Sequence, residues 1–120
     1  VSARDRPARV AHELQRALSA LVSRGLKDPR ITGLVTVTGA EMSPDLREAV
    51  AFVSIHGEES VRRRTLAGLQ AAAGWLQREA SRAIGLRYTP HLRFEYDASV
   101  EQGDRIERLL REVKEKEGWK

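Results

Sequence analysis

The chain has 120 residues, of which 41% are hydrophobic, 32% charged and 5% aromatic, which fits one domain with an aliphatic core. It has no cysteine, which excludes disulfides, thiolate catalysis, zinc fingers and iron–sulfur clusters. No apolar run reaches the ~20 residues that span a bilayer, so no membrane helix is expected. Val1-Ser2-Ala3-Arg4-Asp5-Arg6 lacks a hydrophobic signal core, so a reducing, cytoplasmic setting is expected.

Residues 8–24 carry Val10, Leu14, Ala17, Leu18, Leu21 and Val22 on one stripe at helical spacing, and Gly25 stands as the stop. Residues 34–38, Leu-Val-Thr-Val-Thr, predict a β-branched strand, and Ser43-Pro44-Asp45 a turn in which the aspartate caps backbone. A second strand follows over 49–55. Its Ala49, Ala51, Val53 and Ile55 point one way, and the two strands are expected to pair as a hairpin. Gly57-Glu58-Glu59 opens a helix through Leu66, Leu69, Ala72 and Ala73. Gly74 interrupts the pattern before Leu76, Ala80, Ala83 and Ile84 resume it, which marks Ala72 and Gly74 as a kink where a Cβ would crowd the backbone. Gly85 ends that piece. Leu92, Phe94 and Tyr96 alternate as a third strand. A last helix is placed within 100–118, with Ile106, Leu109, Leu110 and Val113 as its stripe. The order α-β-β-α-kink-α-β, then α, predicts an α+β two-layer domain of KH-like type II order. Its core spans about 8–98, and helices cover one face of a three-stranded sheet.

Enzyme chemistry finds no convergent set. His12, His56 and His91 have no partner at metal-ligand spacing, and HExxH, GxSxG and GxxxxGK[ST] are all missing, so no catalysis, metal or cofactor is expected. The net charge of +4 is unevenly spread: +4 over 1–30, −4 over 31–60, +5 over 61–96 and −1 over 97–120. Arginine outnumbers lysine 17 to 4, and a guanidinium fork suits phosphate oxygens. An anionic partner follows, nucleic acid first; the plain alternative is a solvated face with Glu79 as partial counter-ion. No two glycines are three apart, so the GxxG clamp of ordinary KH domains is missing. The candidates for RNA phosphate contact are Arg62, Arg63, Arg78, Arg82, Arg87 and Arg93, with Arg9 and Arg16 on the first helix. Arg78 and Arg82, four apart, share a face. Trp75 and Phe94 read as core, Tyr88 as open.

Leu26-Lys27-Asp28-Pro29-Arg30, Val35-Thr36-Val37-Thr38, Met42-Ser43-Pro44-Asp45-Leu46, Ala72-Ala73-Gly74-Trp75-Leu76, Leu86 to Phe94 and Tyr96-Asp97 stand in one order along the chain. In these blocks the sequence resembles the ribosome-binding factor A family. The resemblance implies a bacterial KH-type domain in which Ala-Xaa-Gly replaces GxxG as an interhelical kink. It implies binding to the 30S ribosomal subunit and 16S rRNA during late maturation, including processing of the 16S 5′ end, and a role in cold adaptation; a monomer without cofactor is expected. Gln77 departs from the arginine usual there, Ala80 from a larger aliphatic residue and His91 from a glutamate. Another ribosome-associated RNA binder, such as a stress or dormancy factor, is the alternative.

Overall fold

The computed structural model of the protein describes residues 5–99 and 109–113. The first helix, α1 (Asp5–Ser23), starts three residues earlier than its apolar stripe predicts. Pro7 is tolerated in that first turn because the N–H it lacks has no helical acceptor there. Val10, Ala11, Leu14 and Leu18 form its buried face. Gly25 takes φ +88° and donates its N–H to the Val22 carbonyl (3.1 Å), which closes the helix end.

Strand β1 (Leu34–Met42) runs four residues beyond the predicted end, because the pairing register slips between Val37 and Gly39. The extra residue is Thr38. This bulge flips the alternation, so Val35 and Val37 face the helices before it and Met42 after it. β1 pairs antiparallel with β2 (Glu48–His56) as the expected hairpin. In the turn, the Asp45 carboxylate accepts the Ser43 hydroxyl (2.7 Å) and the Arg47 N–H (3.1 Å), which, the hydroxyl foremost, hold its pKa below the usual carboxylate range. The aspartate caps backbone as predicted.

Helices α2 (Glu59–Ala71) and α3 (Ala73–Ala83) carry the chain to β3 (His91–Tyr96), which pairs parallel with β2. The sheet order is β1-β2-β3, and all three helices lie on one face. Ala49, Ala51, Val53 and Ile55 of β2 meet Leu14, Leu18, Leu69, Leu76, Leu92 and Phe94 in one core. Each of those leucines is free of solvent contact to within 1%, and burying one contributes about 1.5–3 kcal/mol. This is the predicted α+β two-layer domain in the predicted order. Of the predicted C-terminal helix, residues 109–113 are described and helical, as are 98–99; the rest of 100–118 lies outside the described residues.

Of the two residues the sequence reading assigned to the kink, the structure places the break at Ala72 and not at Gly74. The helical run breaks at Ala72 alone, whose backbone stays right-handed (φ −86°, ψ −2°). Gly74 lies inside α3, and a Cβ there would meet only the Arg78 Nη1 at 3.5 Å, an ordinary contact. The crowded glycine of these two helices is Gly68, where a Cβ would stand 2.7 Å from Ile31 Cγ1 and 3.2 Å from Arg30 Cβ. The loop between α1 and β1 is pressed onto α2 at that point. Thr65, fully buried beside it, accepts the Gly33 N–H (3.3 Å). Arg30 forks onto Asp28 (2.7 and 3.0 Å), and these hydrogen bonds pull the Asp28 carboxyl down to about 2.

Candidate nucleic-acid interface

The eight arginines singled out from the sequence fall into different settings. On α3 the buried stripe is Ala73, Leu76, Ala80 and Ser81. Trp75, Arg78 and Arg82 recur at i, i+3 and i+7 on another side of that helix, so they share one solvent face. Arg78 and Arg82 are exposed there, and Arg82 has Glu79 at 3.7 Å. Trp75 corrects the core expectation: it is 46% exposed, because it sits one residue, ~100° of helical turn, from Leu76 on the buried stripe. Its spacing to Arg78 and Arg82 was the signal available in the sequence. The lack of a side chain at Gly74 leaves the Arg78 guanidinium room to fold back toward the break at Ala72.

The other six arginines are set differently, and of them only Arg62 is not exposed. Arg62 is half-buried, its guanidinium 5.4 Å from the centre of the Tyr96 ring and its Nη1 3.3 Å from the Tyr96 hydroxyl. It braces the end of β3 against α2 instead of facing outward. Arg63 is paired with Glu59 (2.9 Å) and Arg93 with Glu95 (2.9 Å), both on the surface. Arg9 and Arg16 are exposed on α1, with Glu13 between them in sequence on the same face. Arg87 follows Gly85, which takes φ +71°, and lies 5.6 Å from the Tyr88 ring centre.

Gln77, where an arginine was the family habit, serves the sheet instead, since its Oε1 accepts the Leu92 N–H (2.9 Å). Gln70, seven residues back on α2, does the same for the Phe94 N–H (3.0 Å). Both donors lie on the edge of β3 away from β2, because the opposite parity faces β2: the His91 N–H reaches the Arg47 carbonyl (2.8 Å) and the Asp97 N–H that of Val53 (2.7 Å). Among the described residues, no group of three or more His, Asp or Glu side chains could hold a metal. No described helix is long and apolar enough to cross a membrane.

A three-stranded mixed sheet carrying helices on one face, one of them lined outside by Trp75, Arg78 and Arg82, defines a KH-like α+β domain with a basic helical surface. The family model described as ribosome-binding factor A matches residues 6–110, and the chain belongs to that family. It is 72% identical over 110 residues to ribosome-binding factor A of Anaeromyxobacter dehalogenans (strain 2CP-C), covering 92% of this chain and 80% of that protein. The Caldanaerobacter subterraneus protein of the same name is 42% identical, covering 92% and 90%. Among solved structures, the crystal structure of ribosome-binding factor A from Thermus thermophilus aligns with TM-score 0.64 at 29% identity, over 75% of this chain and 94% of that one. A Thermus thermophilus homology model fitted into the cryo-EM map of a 30S–RbfA complex aligns with TM-score 0.60 at 28% identity, over 73% and 91%.

Proposed function

We propose that this chain binds the 30S ribosomal subunit through 16S rRNA, as a monomeric, non-catalytic assembly factor of the cytoplasm. It promotes late maturation of the subunit, including processing of the 16S 5′ end, and supports growth in the cold. The observation that carries the reading is the α3 face, where an exposed tryptophan beside a glycine and a helix break is followed by two exposed arginines. Guanidinium groups suit phosphate oxygens, and the indole offers a plane to an unstacked base. The relative fitted into a 30S complex supports the choice of partner. Work is done by binding energy: contacts made only with one rRNA arrangement shift the population toward it.

The test is binding to purified small subunits over a salt series. Each phosphate contact contributes roughly −0.7 to −0.9 to the log–log slope. Arg78→Glu with Arg82→Glu is expected to flatten the slope by about one to two units, with thermal melting unchanged because exposed charges add little stability. Arg24→Glu with Arg64→Glu removes equal charge elsewhere. Equal losses from both pairs would reduce the interaction to net charge. In cells, the α3 double variant is expected to accumulate 16S precursor and free small subunits in the cold.

A further inference from the structure

We propose a second site, a cleft that takes one splayed nucleotide of single-stranded RNA, with its phosphate on Arg6, Arg47 and Arg87 and its base on Tyr88. The proposal rests on the RNA-binding reading above and assigns part of that binding to the opposite end of α3 from the break at Ala72.

Topology brings the parts together. β2 and β3 start side by side, with Glu48 opposite His91, so the turn before β2 and the loop before β3 are neighbours. The first turns of α1 lie over the end of β1, where Pro7 and Ala8 face Ala40 and Met42. Between these three segments opens a cleft of about 550 Å³, a size that accepts a small ligand. Arg6 enters it from α1, Arg47 from the turn, and Arg87 and Tyr88 from the loop, while Leu46 and Leu86 supply apolar wall.

The charges there are not balanced internally. Asp45 is the one acidic residue among the described lining residues, and its carboxylate already accepts the Ser43 hydroxyl and the Arg47 N–H, with the Arg47 Nε 3.9 Å away. Three arginines and one aspartate therefore line the cleft. Arg6 also stands in the first turn of α1, where the helix dipole disfavours a cation. A bound phosphate relieves both repulsions. Leu46 adds a backbone cost, since it holds φ +62°, left-handed for a branched side chain. Such strain concentrates at ligand clamps.

Tyr88 decides the class of ligand. It is 77% exposed, and the Arg87 guanidinium lies against its ring. A free phosphate or an acidic peptide has no use for an open aromatic plane, whereas an unstacked base does. In an A-form duplex the bases are stacked inside and cannot reach it, so the ligand is single-stranded.

The experiment uses the full chain and a fluorescein-labelled uridine hexamer, read by anisotropy. Tyr88→Ala is expected to weaken binding about 5- to 100-fold, and Tyr88→Phe to restore it. Arg47→Gln and Arg87→Gln are each expected to reduce the salt slope by about 0.7, while Arg24→Gln, outside both sites, leaves affinity within about twofold. A duplex RNA, inorganic phosphate and a glutamate hexamer serve as competitors, and all three are expected to displace the hexamer poorly. Hexamer binding indifferent to Tyr88→Ala, or displacement by phosphate or by the glutamate peptide as efficient as by unlabelled hexamer, overturns the nucleotide site. Sedimentation with small subunits is read in parallel. Retained sedimentation with an indifferent hexamer removes the cleft and leaves the proposed function standing, whereas wild type that fails to sediment removes the latter.

Discussion

Two glycines six residues apart have opposite demands placed on them. Gly68 is filled from outside by Ile31, whose Cγ1 would lie 2.7 Å from an added Cβ, with the Arg30 Cβ behind it at 3.2 Å. Neither atom is the free end of a flexible chain, so the loop or the helix must move. Gly68→Ala is expected to cost about 1–3 kcal/mol, the usual range for overpacking, seen as a lower urea midpoint with unchanged slope. Gly74 has room, and alanine is the better helix former by about 1 kcal/mol. Gly74→Ala is therefore expected to leave stability unchanged or raise it by up to about 1 kcal/mol. A loss at Gly74 as large as that at Gly68 would show that the backbone at 74 is constrained in some way its surroundings do not reveal.

At the scale of the element, β3 is an edge strand, and edges invite pairing with other chains. Here the outward N–H groups of Leu92 and Phe94 are occupied by the Gln77 and Gln70 side chains, from the same helices that bury the Leu92 and Phe94 side chains. The two glutamines stand on either side of the break at Ala72, so Gln70 on α2 serves Phe94 and Gln77 on α3 serves Leu92, in the order opposite to the strand's. Gln77→Ala is expected to lower stability by about 1 kcal/mol and to speed hydrogen exchange at the Leu92 amide more than at Arg93. Gln77→Glu keeps an acceptor oxygen and is expected to retain the slow exchange. Uniform acceleration across β3 would mean that the glutamine acts by packing alone.

Over the whole molecule, Asp97 joins segments that are far apart in sequence. Its carboxylate accepts the Ser99 hydroxyl (2.5 Å) and N–H (3.0 Å) two residues on, and the Thr38 hydroxyl (2.6 Å) at the bulge of β1. These bonds, from Ser99 first and Thr38 second, lower its pKa. A carboxyl with a lowered folded pKa binds fewer protons than in the unfolded chain, where it titrates near ~3.9. Its stabilisation is thus complete above about pH 5, declines as pH falls through ~3.9 and is lost below the folded value. Asp97→Ala is expected to cost about 1 kcal/mol at pH 7, toward the lower part of the range for a lost cap because the group is partly exposed. The gap from wild type should close as the pH drops below about 4. A gap independent of pH would make the side chain's contribution one of packing. The same scale shows how charge is layered. The block at −4 is the β1–β2 hairpin with its flanking residues, and the blocks at +4 and +5 carry α1 and α2-α3-β3, so the outward helical surface is the basic one.

The sequence by itself determined the stripe of α1, the inward alternation of Ala49, Ala51, Val53 and Ile55, the hairpin, the Asp45 cap and the order of elements. Each of these follows from one segment's own periodicity or from hydrogen bonds within a few residues. The pairing of Arg78 with Arg82 on one face was legible for the same reason, and the same spacing puts Trp75 beside them. Tertiary structure alone decided the rest: the bulge at Thr38, the demand for glycine at 68 and not at 74, the glutamines on the edge of β3, the commitment of Arg62 to Tyr96 and the cleft around Tyr88. In each of these the deciding partner comes from another element, as Ile31 does for Gly68 and Leu92 for Gln77. Local patterns record which side of an element is apolar. They carry no record of how closely another element approaches, and it is that approach that fixes which small residue is indispensable and which arginine is left free to bind.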